Sequence, residues 1–198
     1  PKENENMDRV ITYLTSFRGI ARDVVRDFEC RGMIYESEKY HNAVFVGFDS
    51  NGDPAHASLR GIGHESDFKG SVPNSSPEYS FHWLGQDNTL YLFESPIDML
   101  SYISMHKNGW KNHSYAACCG VNNHVLVQML CDNANLDSVF LCLDNDEVGQ
   151  GAAKRMAKDL SAHGIQVEIL VPSRKDWNED LLHSDESEDE RECPALQL

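Results

Sequence analysis

Two short apolar segments that end in acidic residues constrain the fold of this chain more than any other feature. Leu90–Phe93 is followed at once by Glu94, and Leu141–Leu143 is followed by Asp144 and Asp146. A short apolar run between polar residues is typical of a strand buried on both faces, as in a parallel sheet. The carboxyl ends of such strands form the sheet edge at which ligands bind. The pattern therefore predicts that acidic side chains from two strands meet at one edge.

The same alternation of strand and helix continues through the C-terminal half. Strands are predicted at 114–118, 138–143 and 166–171, between helices at 96–107, 122–131 and 147–163. This order predicts a parallel sheet with right-handed crossovers. The N-terminal half differs, because two short helices precede a strand pair around an Asn-Gly turn. We therefore expect an α/β domain, with helices flanking a parallel sheet, over residues 89–183 and a smaller α+β subdomain over residues 7–88.

Both ends of the chain are polar. Residues 1–7 contain few apolar side chains, and residues 184–198 include an acidic run from Asp185 to Glu192. Segments of this composition cannot bury enough apolar surface to order themselves, so both are predicted to be disordered. No signal peptide and no apolar run of about 20 residues is visible, so we expect a cytoplasmic protein without a membrane partner.

The large negative charge of the chain does not exclude a function that involves nucleic acid. A formal net charge of −15 argues against a general nucleic-acid coating protein, because binding to phosphates needs cations. Part of that charge lies in the acidic tail, and a bound cation would offset another part. The cysteines include no C-x-x-C pair, so a zinc ribbon is not expected.

The acidic residues at the predicted sheet edge match the ligand chemistry of a hard divalent cation. Glu94 ends one strand, Asp98 follows one helical turn later, Asp144 and Asp146 end another strand, and Asp176 follows the last strand. Such carboxylates repel one another unless a cation lies between them, and Mg²⁺ prefers oxygen ligands. Metals held in this way act on phosphates by neutralising the attacking and leaving oxygens. The alternative is that the acids only cap the helices that follow them.

The ordered set of Glu94, Gly120 and Asp144-Asn145-Asp146, each following a strand, resembles the Toprim domain of topoisomerases, bacterial primases and some nucleases. The resemblance covers residues 89–183 and implies a Toprim-type sheet. It also implies that Glu94, Asp144 and Asp146 are catalytic and bind Mg²⁺ or Mn²⁺. Asp98 and Asp176 would be further metal ligands, and Asp180 would be a candidate to support them.

The N-terminal half is similar to the catalytic core of bacterial primases, in particular the primase-like Toprim proteins of plasmids and mobile elements. The similar segments are Tyr13-Leu14 with Arg18-Gly19-Ile20, residues 42–53, Ser58–Gly61, Phe68–Ser71 and Phe81–Gly85. The resemblance implies that Arg60, Lys69 and Arg18 bind nucleotide or nucleic-acid phosphates. It also matches His124 to a position at which such primases can carry histidine. Three alternatives stay open: a surface helix residue for His124, an edge-strand charge for Arg60 and a loop cation for Lys69.

Departures from the primase pattern bear on function. Ser95 and Pro96 stand where a glycine and a variable residue are common, and the Lys-Tyr-x-Asn segment is absent as such. This sequence also contains no zinc-binding module and no helicase-binding helical domain. These differences leave template selection and independent priming open.

The resemblance implies metal-dependent nucleotidyl transfer on single-stranded nucleic acid, in DNA replication or mobile-element transfer. Single-stranded DNA and nucleoside triphosphates would be the partners, with a helicase or relaxase on the same or another chain. One alternative is a Toprim nuclease, in which the same metals activate water. Another is a non-catalytic nucleic-acid-binding module of a larger mobilisation or replication protein. A topoisomerase is not expected, because neither Tyr102 nor Tyr115 is placed like that enzyme's nucleophile.

Overall fold

Two β-sheets form the centre of the molecule, and the structure, a computed structural model, describes residues 1–63, 68–120 and 122–184. The N-terminal sheet is antiparallel, in the order β1 (Ile34–Glu36), β2 (Ala43–Phe48), β3 (Pro54–Arg60) and β4 (Lys69–Ser71). The C-terminal sheet has the order β5-β7-β6-β8-β9. Its strands are β5 (His82–Trp83), β6 (Thr89–Phe93), β7 (Ser114–Ala117), β8 (Ser138–Cys142) and β9 (Gln166–Ile169).

Four strands of the C-terminal sheet, β6 to β9, run parallel, and only the edge strand β5 is antiparallel to its neighbour. The helices that follow these strands are α3 (Pro96–Met105), α4 (His124–Asp132), α5 (Glu147–Ala162) and α6 (Trp177–Leu182). Gly164 ends α5 with φ +81°, the left-handed conformation in which glycine meets no Cβ penalty. The predicted α/β class, with a parallel sheet flanked by helices and a preceding α+β part, is confirmed.

One hydrophobic cluster joins the two halves of the chain. In the N-terminal half, α1 (Asp8–Thr12) continues into a π-helical turn, Tyr13–Phe17, and α2 (Arg22–Glu29) follows. Phe28 of α2 is fully buried, with its ring centroid 5.3 Å from those of Phe81 and Trp83. The same cluster extends to Phe93 and Trp177 at the C-terminal sheet. The halves therefore pack against each other through a shared core, and the boundary at residues 88 and 89 stays a prediction.

Three elements differ from the sequence-based expectations. Residues 1–7, predicted to be disordered, lie along β1, where the Asn4 amide donates to the Glu36 carbonyl (2.8 Å). An edge strand presents unpaired backbone groups, and this segment satisfies some of them. Two elements were not predicted, namely β1 and α6, and both are too short for a periodic apolar pattern. Of the predicted acidic tail, residues 185–198 lie outside the described residues.

Helix α6 is held against the parallel sheet by Trp177. The indole N–H donates to the Cys142 carbonyl at 2.8 Å, and the ring makes an edge contact with Tyr102 at 5.0 Å. This anchor places the residues after β9 next to the carboxyl ends of β6 and β8. Among the helices of the described residues, none combines the length and the apolar composition that crossing a membrane requires.

Candidate active site

A cleft of about 350 Å³ lies between the two sheets, at the carboxyl ends of β6 and β8. Its ionisable lining divides into two groups of opposite charge. The acidic group is Glu94, Asp98, Asp144 and Asp176, and the basic group is Arg18, Arg60, Lys69 and Lys175. The structure thus brings together, in one cavity, carboxylates from three loops of the C-terminal half and cations from both halves.

Glu94 and Asp144 follow the ends of adjacent parallel strands, because Phe93 pairs with Cys142 in the β6–β8 ladder. Burial and then the charge of Glu94, followed by Asp176 and Asp146, raise the pKa of Asp144 to about 7. Burial and then Asp146 and Asp98 raise the pKa of Glu94. Lys69 opposes both shifts. These carboxylates therefore repel one another across the cleft, and bound positive charge would stabilise them.

One oxygen of Asp144 stands out among the polar atoms at this edge. Its Oδ1 is buried and has no hydrogen-bond partner in the part of the chain that the structure describes. Leaving a buried carboxylate oxygen without a partner is costly unless a cation or water binds it. This oxygen is therefore a candidate ligand.

Asp98 lines the cleft and is nevertheless buried (5% exposed). The Ser95 hydroxyl donates to its Oδ2 at 2.6 Å, and Ser95 also caps the start of α3. Burial and then the charge of Asp144 raise the pKa of Asp98 to about 7. Ser95, which stands where the primase pattern commonly has glycine, thus holds this carboxyl in place.

Helix capping accounts for part of the role of two predicted ligands. Asp146 accepts from the Gly149 amide at the start of α5, and Asp176 accepts from the Glu179 amide at the start of α6, both at 2.8 Å. In each cap only one carboxylate oxygen accepts this hydrogen bond, and the other oxygen takes no part in the cap. Asp146 is exposed and does not line the cleft, although its charge is the first electrostatic cause of the raised pKa of Glu94.

Asp180 has a local role instead. Its two oxygens accept hydrogen bonds from the backbone amides of Ser173 and Arg174, both at 2.7 Å, so it shapes the loop after β9. It does not line the cleft.

The cations form the opposite wall. Arg60 and Lys69 are cross-strand partners on β3 and β4, so both side chains point to the same face of the N-terminal sheet. Within the described ranges, no carboxylate lies within 4.0 Å of the charged nitrogens of Arg18, Arg60, Lys69 or Lys175. Cations without a carboxylate partner are suited to contact phosphate. His124, by contrast, is exposed at the first residue of α4 and does not line the cleft.

Sequence reasoning missed two residues of the cleft. Lys175 follows the last strand of the parallel sheet and lines the cleft. Asn178 also lines it, is buried (3% exposed) and connects the two halves of the chain. Its amide nitrogen donates to the Arg18 carbonyl at 2.7 Å, and Arg18 donates back to its Oδ1 at 3.1 Å. The sequence signal for Asn178 was only its position directly after Trp177.

Two glycines bring backbone segments close to the acids. Gly120 lies in the sequence between the two strands that acidic residues follow. It has φ +136°, and its amide donates to the Glu94 carbonyl at 3.2 Å. Gly149 lies so close to Asp144 that an added Cβ would be 2.5 Å from the Asp144 carbonyl oxygen. Helix α5 therefore begins so close to the Asp144 backbone that only glycine fits at this position without a shift.

The donor set fits a hard divalent cation, although it is not preassembled. No group of three or more His, Cys, Asp or Glu side chains is arranged to hold a metal within residues 1–63, 68–120 and 122–184. Mg²⁺ commonly keeps several waters and binds through one or two carboxylates plus substrate phosphates. Glu94 and Asp144 supply the one or two carboxylates that such a site needs. Their donor atoms are oxygens, which Mg²⁺ and Mn²⁺ prefer as ligands.

The raised pKa values predict how stability depends on pH and metal. Asp98 and Asp144 have a pKa of about 7 in the folded chain, above the ordinary value of about 4, so their protonated forms favour folding. Their contribution is full below about pH 4 and is lost as the pH rises through about 7. We expect Mg²⁺ to raise the melting temperature more at pH 8 than at pH 5, measured by calorimetry. Equal shifts at both pH values would contradict this expectation.

Comparisons with known proteins found matches to both halves of the chain. Residues 91–181 match a family model described as Toprim-like, and residues 12–87 match one described as a protein of unknown function, DUF3991. An uncharacterized protein of Bacillus anthracis is 28% identical, over 96% of this chain and 62% of its own length. One of Mycoplasma pneumoniae is 33% identical, over 62% of this chain and 59% of its own. The chain thus spans about three fifths of the length of these relatives.

Solved structures share the fold over most of the chain. The primase fragment of the bacteriophage T7 primase-helicase protein has a TM-score of 0.67 at 19% identity, covering 89% of this chain and 72% of that one. The DnaG catalytic core has a TM-score of 0.60 at 14% identity, covering 95% and 74%. Both likenesses establish the fold, and the resemblance inferred from the sequence is confirmed. Residues 91–181 match the Toprim-like family model, and the chain has the fold of the catalytic cores of bacterial and phage primases.

Proposed function

We propose that this chain performs primase-like, metal-dependent nucleotidyl transfer on single-stranded nucleic acid, in DNA replication or mobile-element transfer. The observation that carries the proposal is the cleft itself, in which repelling carboxylates face cations that have no carboxylate partner among the described residues. Opposed acidic and basic walls suit a ligand whose phosphates need both a bound metal and direct cationic contacts.

Structures with the same fold support the choice of partners. A DnaG primase catalytic domain has been solved bound to single-stranded DNA, with a TM-score of 0.58 to this chain. T7 primase domains, with a TM-score of 0.63, have been solved in a complex with the lagging-strand DNA polymerase, an RNA/DNA hybrid and dTTP. We extend these partners to this chain, namely single-stranded DNA and nucleoside triphosphates. A helicase or relaxase partner and a cytoplasmic location belong to the same proposal.

Each group of the cleft has a role in this proposal. Glu94, Asp144 and Asp146 would bind Mg²⁺ or Mn²⁺, with Asp98 and Asp176 supporting them. The bound cations would supply charge neutralisation at the attacking hydroxyl and the leaving pyrophosphate. Arg18, Arg60 and Lys69 bind phosphates of the nucleotide or strand and orient them towards the acids. Lys175, which the structure adds to this wall, acts with them.

A second candidate is a nucleic-acid-binding module without turnover. The observation in its favour is that no three metal-binding side chains are preassembled in the described part of the chain. Such a module would bind single-stranded DNA through the same cations, and its affinity would not depend on Glu94.

An incorporation assay separates these candidates. The chain is incubated with single-stranded DNA, nucleotides and Mg²⁺ or Mn²⁺, while labelled product, strand cutting and DNA binding are measured in the same mixture. We expect product from the native chain and about ten-fold less from Lys69→Ala, because one charge-assisted contact to phosphate is lost. Lys111→Ala is the matched control, because this lysine pairs with Asp27 outside the cleft. Cutting without product would identify a nuclease, and binding without either reaction would identify the module.

A further inference from the structure

Two guanidinium groups of the cleft share one buried phenol oxygen. The Tyr13 hydroxyl oxygen accepts a hydrogen bond from Arg18 Nε at 2.9 Å and a longer one from Arg60 Nε at 3.4 Å. Tyr13 is 8% exposed, and the Arg18 guanidinium carbon lies 5.2 Å from the centroid of its ring. A neutral residue at the edge of the cleft thus fixes two of its cations.

The π-helical turn explains how Tyr13 and Arg18 meet. Side chains five residues apart point in different directions on an α-helix, because successive residues are about 100° apart. Here the Arg18 amide donates to the Tyr13 carbonyl at 3.0 Å, which is the wider i to i+5 pattern. This pattern brings the Arg18 side chain over Tyr13. Strand β3 supplies Arg60 from the other side.

Asn178 holds the same arginine from the C-terminal half. Its side-chain amide binds both the backbone carbonyl and the Nη1 atom of Arg18, and it also donates to the Ser101 hydroxyl at 3.0 Å. Arg18 therefore has its Nε, one Nη and its carbonyl fixed by two buried side chains. Long cationic side chains otherwise lose considerable rotamer freedom when they bind a ligand, so this restraint lowers that cost.

The positive charges of Arg18 and Arg60 are close together, and a bound anion would balance them. Two like charges are hydrogen-bonded to one neutral oxygen, and no described carboxylate forms an ion pair with either. We propose that Tyr13 and Asn178 are positioning residues that hold Arg18 and Arg60 as a single two-pronged site for a phosphate group. That the phosphate belongs to a nucleotide or a nucleic-acid strand rests on the proposed function. The hydrogen bonds that hold the two arginines are made by Tyr13 and Asn178, and none of them is made by an acidic side chain of the cleft.

Binding measurements without metal test this inference. Inorganic tripolyphosphate, ATP and oligothymidylate are titrated in turn against the whole chain. We expect Tyr13→Phe to weaken binding of the relevant ligand about ten-fold, because the ring stays and only the shared hydroxyl is lost. Weaker binding of ATP and tripolyphosphate would identify a nucleotide phosphate, and weaker binding of the oligonucleotide alone would identify a strand phosphate. Either result supports the two-pronged site.

The decisive readout is a mutant cycle. If Tyr13 acts through the arginines, Tyr13→Phe has no further effect once Arg18 and Arg60 are both alanine. Asn178→Ala should also weaken binding, whereas Ser101→Ala, which removes a buried partner of Asn178 but no contact to Arg18, should not. The inference is overturned if Tyr13→Phe binds like the native chain, if its effect persists in the double-alanine background, or if the native chain binds none of the three ligands. If phosphate binding changes in these variants as expected but the incorporation assay gives no product, the two-pronged site is supported and the proposed function is contradicted.

Discussion

Replacing Asp144 with asparagine is expected to reduce metal-dependent nucleotide incorporation at least about a hundredfold, which corresponds to about 3 kcal/mol of lost stabilisation. Asparagine keeps the size of the side chain but removes the charge that would bind the cation. Asp144 is the acid whose buried Oδ1 has no described partner, and its pKa is raised to about 7 by burial and by Glu94, Asp176 and Asp146. Product formation is measured at saturating Mg²⁺ and again with Mn²⁺.

Stability measurements distinguish this loss from unfolding. Because the substitution removes a repelling charge, Asp144→Asn should melt at a higher temperature than the native chain at pH 8 without metal, and Mg²⁺ should no longer raise that temperature. Asp159→Asn, on the exposed face of α5, is the matched control and should leave both properties unchanged. Native activity in Asp144→Asn would show that this carboxylate is not part of the reaction.

The acidic wall could be anticipated because parallel strands obey a simple geometric rule. Glu94 and Asp144 each follow an apolar run, and neighbouring parallel strands end at the same edge of a sheet. The two acids are therefore close together if their strands are neighbours. The structure places both in one cleft. Gly149, three residues after Asp146, has a related reason, because a helix that starts directly after such a strand passes close to its end.

The opposite wall and the closure of the cleft depend on contacts that periodicity does not encode. Arg18 and Asn178 are 160 positions apart, yet they exchange two hydrogen bonds. Asn178 lies on a six-residue helix, α6, which is too short to show an amphipathic repeat. The Tyr13–Arg18 contact depends on a π-helical turn, and an apolar pattern of period 3.6 predicts an ordinary helix there instead. Short elements and changes of helical pitch therefore set the limit of what the sequence predicted.

Gly149→Ala is expected to destabilise the fold and the candidate site together. The new Cβ would lie 2.5 Å from the Asp144 carbonyl oxygen and 3.2 Å from the Asp144 carbonyl carbon and amide nitrogen. These are backbone atoms that cannot rotate away, so the start of α5 must move. That movement would also disturb the cap in which the Gly149 amide donates to Asp146. We expect a loss of about 2–4 kcal/mol in the free energy of unfolding, measured by urea titration, because overpacking strains the backbone.

Gly151→Ala, two residues further along the same helix, is the matched control for Gly149→Ala. The nearest atom to its new Cβ is the flexible end of Arg155 at 3.4 Å, so alanine should stabilise the helix by about 0.5–1 kcal/mol. If both variants were equally stable, the close contact between α5 and Asp144 would be absent in solution. If Gly149→Ala stayed folded but lost nucleotide incorporation, while Gly151→Ala kept it, the position of the Asp144 backbone would be tied directly to the chemistry. A glycine without a reactive group would then set the geometry of the acid on which the proposed function depends.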